Sequence, residues 1–248
     1  MSIKELLFAV ADIWMIAVGF TYGIKFIRNY KNYLLGIEWI IVATSGSNFL
    51  IYGLVKAGHD SPMYAFAYFL DAFSRSVGIT LILVLGLMKV THRYKPSAAV
   101  DIGAFALAGV VGFLLSQFAV EIGLPGKIFY IVVNVLTTIF LIYFVKRLWG
   151  IGERGHAISA AVATACGFVI AATYDFVHIP GDDAEHTIFY IFALSTWGLQ
   201  MFTYYRAYRA FDAYNKRVDA QAVSGSAPAT ALSGRTFPCD RSRVRNRK

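Results

Sequence analysis

The sequence predicts an all-α membrane protein, a bundle of seven transmembrane helices. Three observations lead there. Of 248 residues, 57% are hydrophobic, and the mean hydropathy is +0.56. Only 15% are charged, against about 25% in a soluble domain. The apolar residues gather into seven stretches, near 6–24, 34–55, 63–88, 98–119, 127–145, 157–179 and 187–208. Each approaches the roughly 20 residues that a helix needs to cross a bilayer.

The first stretch, 6–24, has no strongly basic flank and no small-residue cleavage site, so a span is expected rather than a signal peptide. It carries Asp12. The second carries Asn48, with Glu38 near its other end. The third is the most informative. Asp71 and Arg75 stand four apart inside an otherwise apolar run, so on a helix they share a face and pair. A charge near the bilayer centre costs about 2.5 to over 10 kcal/mol, so that face must look into protein or water. The fourth stretch has only Asp101, near one end. The fifth holds Asn134, the sixth Asp175, and the seventh Ser195. At about 1.5 Å per residue, Asp12, Asn48, Asp71, Arg75, Asn134, Asp175 and Ser195 all fall roughly 6–18 Å from the same end of the bundle. Lipid satisfies no polar atom, so these seven residues are expected to converge on one polar site.

Orientation follows from the basic residues. Nineteen Lys and Arg lie on the first, third and fifth joins and after the last stretch. Three, Lys4, Lys56 and Lys127, lie on the opposite side. Basic residues collect in the cytoplasm. The amino terminus is therefore expected outside, the carboxyl terminus in the cytoplasm, and the protein in the cell inner membrane. The same rule accounts for the net charge of +8, so no nucleic-acid partner is expected. The bilayer and a small molecule or ion are the expected partners.

The chain divides into a transmembrane domain, 1–212, and a basic cytoplasmic tail, 213–248. The tail is small and polar, contains Gly and Pro, ends in a basic run, and buries too little apolar surface to fold alone. Cys166 lies within a span and Cys239 in the tail, so no disulfide framework is implied. An internal repeat is visible at one spacing. Tyr22 and Lys25 correspond to Tyr143 and Lys146, Val42-Ala43-Thr44 to Val162-Ala163-Thr164, and Ala72-Phe73-Ser74 to Ala193-Leu194-Ser195. This points to a 3+1+3 layout, two parallel three-helix repeats joined by the fourth helix.

The chemistry is otherwise sparse. His59, Asp60, His178, Asp182, Asp183 and His186 lie on the outer side without a metal-binding spacing and read as solvated loops. There is no H-E-x-x-H, G-x-S-x-G, P-loop or C-x-x-C motif, so an enzyme is not expected. The run 70–83 resembles the retinal-bearing helix of microbial rhodopsins, where an Asp precedes the Schiff-base Lys by four. Here Arg75 stands at the lysine position, and a guanidinium forms no Schiff base. No cofactor is therefore expected. The reading is a small-solute or ion transporter. Arg75 would hold an anionic group or act as an internal counter-ion, Asp71 and Asp12 would carry protons, and Glu38 would receive them from the cytoplasm. A seven-helix sensor or receptor, or a structural subunit of a membrane complex, is the alternative.

Overall fold

Long apolar runs with few internal breakers fold as long helices, because a bilayer leaves the backbone no other partner than itself. The computed structural model describes residues 2–55, 58, 60–183 and 186–225, with only the backbone of 119, 120 and 225. Among the described residues there are seven helices. These are α1 (Ile3–Tyr30), α2 (Tyr33–Val55), α3 (Pro62–Thr91), α4 (Ala98–Gln117), α5 (Ala119–Gly150), α6 (Arg154–Thr173) and α7 (Thr187–Gly225). The first six are long and apolar enough to cross a membrane by length and composition. The seventh is diluted by Thr196, Gln200, Thr203, Tyr204 and Tyr205, several of which it buries inside the bundle.

Helix ends follow local chemistry. Ser2 and Glu5 form a reciprocal capping box at the start of α1, and Ser61 and Ser97 cap α3 and α4. The α1 carbonyls at the other end are closed by Lys31 in the left-handed region and by Lys89, whose Nζ donates to the carbonyls of Tyr30 and Lys31 at 2.9 and 2.8 Å. The last helix runs past the boundary drawn at 212 and reaches Gly225. The stretch 213–223 has no Gly or Pro to stop it, and the Asp212–Lys216 pair supports it at 2.7 Å. The remainder of the tail, with Cys239 and the basic end 241–248, lies outside the described residues, as does His59.

Helix α3 is central. It touches α2, α4, α5 and α7, while α1 packs between α2 and α7, and α6 between α5 and α7. The α1–α2 contact is close because small residues face each other. A Cβ on Gly23 would lie 2.8 Å from the Gly36 carbonyl oxygen, so any larger residue drives the two backbones apart. Away from the amino-terminal end, Phe26 packs edge-to-face on Trp39, Tyr205 and Tyr208 at 4.6–5.1 Å and joins α1, α2 and α7. Large side chains such as Leu107, Val110 and Phe113 on α4 and Leu136, Ile139 and Ile142 on α5 point outward and exposed. That belt suits lipid and would be a liability in water.

Two irregularities shape the end of the bundle that holds the amino terminus. Residues Ser74–Ile82 of α3 form a π-helix, a widened turn often found at functional sites. Gly123, with φ of +50°, bends α5 near its start, a conformation open to glycine, and Pro125 restarts the helix where its missing N–H costs little.

Candidate functional site

The site grows from Arg75 on the π-helical segment. Helical spacing places Asp71 beside it, and Arg75 Nη1 donates to Asp71 Oδ2 at 3.3 Å. A second carboxylate closes from α6. Arg75 Nη2 makes a short contact to Asp175 Oδ2. Asp175 is not within the sixth helix, as its sequence position suggested. The helix ends at Thr173, and Asp175 sits in the turn beyond, which frees it to swing toward α3. The guanidinium is flanked on its faces as well. It lies 4.1 Å from the Tyr130 ring and 3.7 Å from the Tyr174 ring. The Tyr174 hydroxyl donates to Asp71 Oδ1 at 3.2 Å and meets the Tyr190 hydroxyl at 3.1 Å. The network thus joins α3, α5, α7 and the turn after α6.

This network lines a cavity of about 330 Å³ among α2, α3, α5 and α7. Its wall includes eight aromatic residues, Phe49, Tyr52, Tyr64, Tyr68, Tyr130, Tyr174, Tyr190 and Trp197. Tyr64 and Tyr68 are 37% and 42% exposed, so the cavity reaches the surface. Gly123 and Gly126 on the bent start of α5 keep that wall low. Lys127 stands exposed at the margin, its Nζ 3.3 Å from the Asp175 carbonyl. Two smaller voids lie beside the cavity and share part of its lining. One, about 40 Å³, is bordered by Arg75, Asn134, Thr164 and Gln200; the next, about 20 Å³, by Gln200, Tyr204 and Glu38. Ile79 and Trp197 border all three.

The seven residues expected to converge do so only in part. Asp71, Arg75 and Asp175 meet. Asn134 borders the 40 Å³ void below, its amide donating to the Tyr130 carbonyl on its own helix. Asn48 lies to the side and ties α2 to α3 by donating to the Met63 carbonyl at 2.9 Å. Ser195 faces outward from α7 and is exposed. Asp12 is fully buried one layer behind the cavity wall, its carboxyl against Gly46, with no hydrogen-bond partner among the described residues. Depth along each helix was legible from sequence; rotation about the helix axis was not.

Glu38, placed by sequence near the other end of α2, lies in the packed interior. It is 1% exposed, its carboxyl is packed on Gly78 of the π-helix, and neither oxygen has a hydrogen-bond partner among the described residues. The tyrosines are the residues the sequence concealed. Tyr130 and Tyr174, which carry no charge to mark them in an apolar run, flank the guanidinium. The adjacent Tyr174-Asp175 pair, unusual at the end of an apolar run, was the available signal.

The described residues of the loop before α7 are largely exposed, as a solvated stretch is, and they also cap that helix. Asp182 accepts hydrogen bonds from the backbone N–H groups of Ile188 and Phe189 at the start of α7, and of Asp183. Burial pushes its carboxyl up, but these donors, with His186 nearby, outweigh burial and hold it below the usual carboxylate value. The His178 and His186 rings lie edge-to-face at 5.0 Å, and no metal-holding cluster of His, Cys, Asp or Glu occurs among the described residues.

No protein-family model, curated protein or solved structure matches this chain.

Proposed function

We propose that this polytopic membrane protein is a small-solute transporter whose binding site is the cavity around Arg75, opening toward the extracytoplasmic side of the inner membrane. The observation that carries the reading is the ionic cluster of Asp71, Arg75 and Asp175. Three charged groups from two separate parts of the fold line one cavity instead of sealing a dry interface. Intramembrane ionisable residues are costly, and they concentrate along solute paths. A widened π-helical turn at the site supports the same reading, as do the two smaller voids that descend to Glu38 past Ile79 and Trp197. Those two residues are the constriction that alternating access would open and close.

In this reading all seven helices span, the amino terminus is external and the carboxyl terminus cytoplasmic. Helix adjacency supports the 3+1+3 repeat. Neighbours α1–α2–α3 mirror α5–α6–α7, and the cross-contacts α1–α7 and α3–α5 exchange under a two-fold relation. A reporter active only in the cytoplasm is expected to give signal when fused after Lys216 and none after Ala57. The reverse result overturns the orientation. Function is tested by uptake of a panel of labelled small solutes into proteoliposomes. Accumulation above empty vesicles, lost in Asp71→Asn, is expected. A solute that raises the melting temperature without crossing the membrane moves the protein to the sensor class.

A further inference from the structure

We infer that the cavity takes an organic cation with an aromatic or apolar body. This rests on the reading of the cavity as the ligand site and names its substrate class. It also departs from the expectation that Arg75 holds an anion. The guanidinium is already neutralised and flanked by the protein's own groups. Its Nη1 and Nη2 donate to Asp71 and Asp175, and its central carbon lies over the Tyr130 and Tyr174 rings at 4.1 and 3.7 Å. It is the least accessible of the three side chains. Arg75 is 12% exposed, Asp175 16% and Asp71 26%.

The described charged groups on the cavity wall are Asp71, Asp175, Arg75 and Lys127. Two acids thus face one interior cation. Lys127 is exposed at the margin, where water and salt screen it. With both acids ionised, the interior presents net negative charge to a ligand. Around it stand π-faces. Tyr64 and Tyr68 stack in parallel at 6.3 Å, with Tyr52 5.9 Å from Tyr64. Aromatic faces beside carboxylates favour soft, weakly hydrated cations, as in quaternary-ammonium sites. A volume of about 330 Å³ lies within the size class of small-molecule pockets.

The test uses the purified full chain in detergent and three probes of similar body: benzyltrimethylammonium, benzenesulfonate and benzyl alcohol. Binding is read by calorimetry and by Trp fluorescence, since Trp197 lines the cavity. The cation is expected to bind at least about tenfold more tightly than either other probe. Asp71→Asn is expected to remove most of that preference. Tyr68→Leu, at a half-exposed position, is expected to weaken the cation about tenfold and benzyl alcohol far less. Equal binding of the three probes, preference for the sulfonate, or no binding of the cation overturns the inference. Uptake is measured separately. Cation binding without flux leaves the substrate class standing and removes the transport reading. Flux of an anion without cation binding does the opposite.

Discussion

Helix α3 looks two ways, and its two faces handle buried charge differently. Toward α5 and α6, Arg75 gathers Asp71 and Asp175, and every charged group has a partner. Toward α2, Gly78 faces Glu38, a carboxyl with none among the described residues; Asp12, between α1 and α2, is alike. The first arrangement is strong while complete and costly to break. An unpaired buried charge costs several kcal/mol, so removing one member harms the fold more than the whole network ever contributed. The second arrangement has no ion pair to break among the described residues. What the contrast teaches is that conspicuous burial of an acid does not measure its role in stability; its partners do.

The comparison breaks most readily at Arg75. Arg75→Gln leaves Asp71 and Asp175 facing each other without a counter-ion. A loss of about 3 kcal/mol is expected, the low end for a broken buried pair because the open cavity lets water reach both acids, read by equilibrium unfolding in mixed micelles. Adding Asp71→Asn is expected to recover only part of it, because Asp175 remains, and the triple variant with Asp175→Asn to recover more. A loss below about 1 kcal/mol for Arg75→Gln means that water, rather than the guanidinium, supports the two acids.

The other face is tested through its glycine. A Cβ on Gly78 collides with the Glu38 carboxyl, which lies in a packed interior. Gly78→Val is expected to cost about 1–3 kcal/mol, and pairing it with Glu38→Ala to restore part of that by making room. Independent, additive costs separate the two residues and end the claim that they share one packing site.

A third kind of acid sharpens the scale. Asp182 is held by backbone donors at a helix start instead of by a cation. Asp182→Ala is expected to cost about 1 kcal/mol. Its pH dependence follows from the lowered carboxyl. A depressed folded value means the contribution is complete above the unfolded value of about 3.9 and is lost as pH falls below it. Acid unfolding curves of wild type and Asp182→Ala are therefore expected to converge below about pH 4. Parallel curves through that range leave the carboxylate without a role in the cap.

The smallest effect is expected at the unpartnered acids. Glu38→Gln and Asp12→Asn keep shape and remove only the ionisable group. Each is expected to change stability by less than about 1 kcal/mol, or to raise it, because no ion pair is lost. A loss on the scale of Arg75→Gln reveals a partner for these carboxyls in the working protein and erases the contrast between the two faces.

Some of this was already written in the chain. Span length and apolar content follow from bilayer thickness, so six long apolar helices were legible before any packing was known. The Asp71–Arg75 pair was legible too, because a helix brings i and i+4 together whatever surrounds it. Only the tertiary structure decided that Asp175, a hundred residues on, completes the pair, that Tyr130 and Tyr174 clamp it, and that Asp12 and Ser195 stay apart from it. The reason is rotational. A helix that is apolar nearly all round carries little signal for which side faces the bundle. Lipid accepts any of its faces, so the choice falls to close contacts such as Gly23 on Gly36 and Gly78 on Glu38, which exist only once the helices have met.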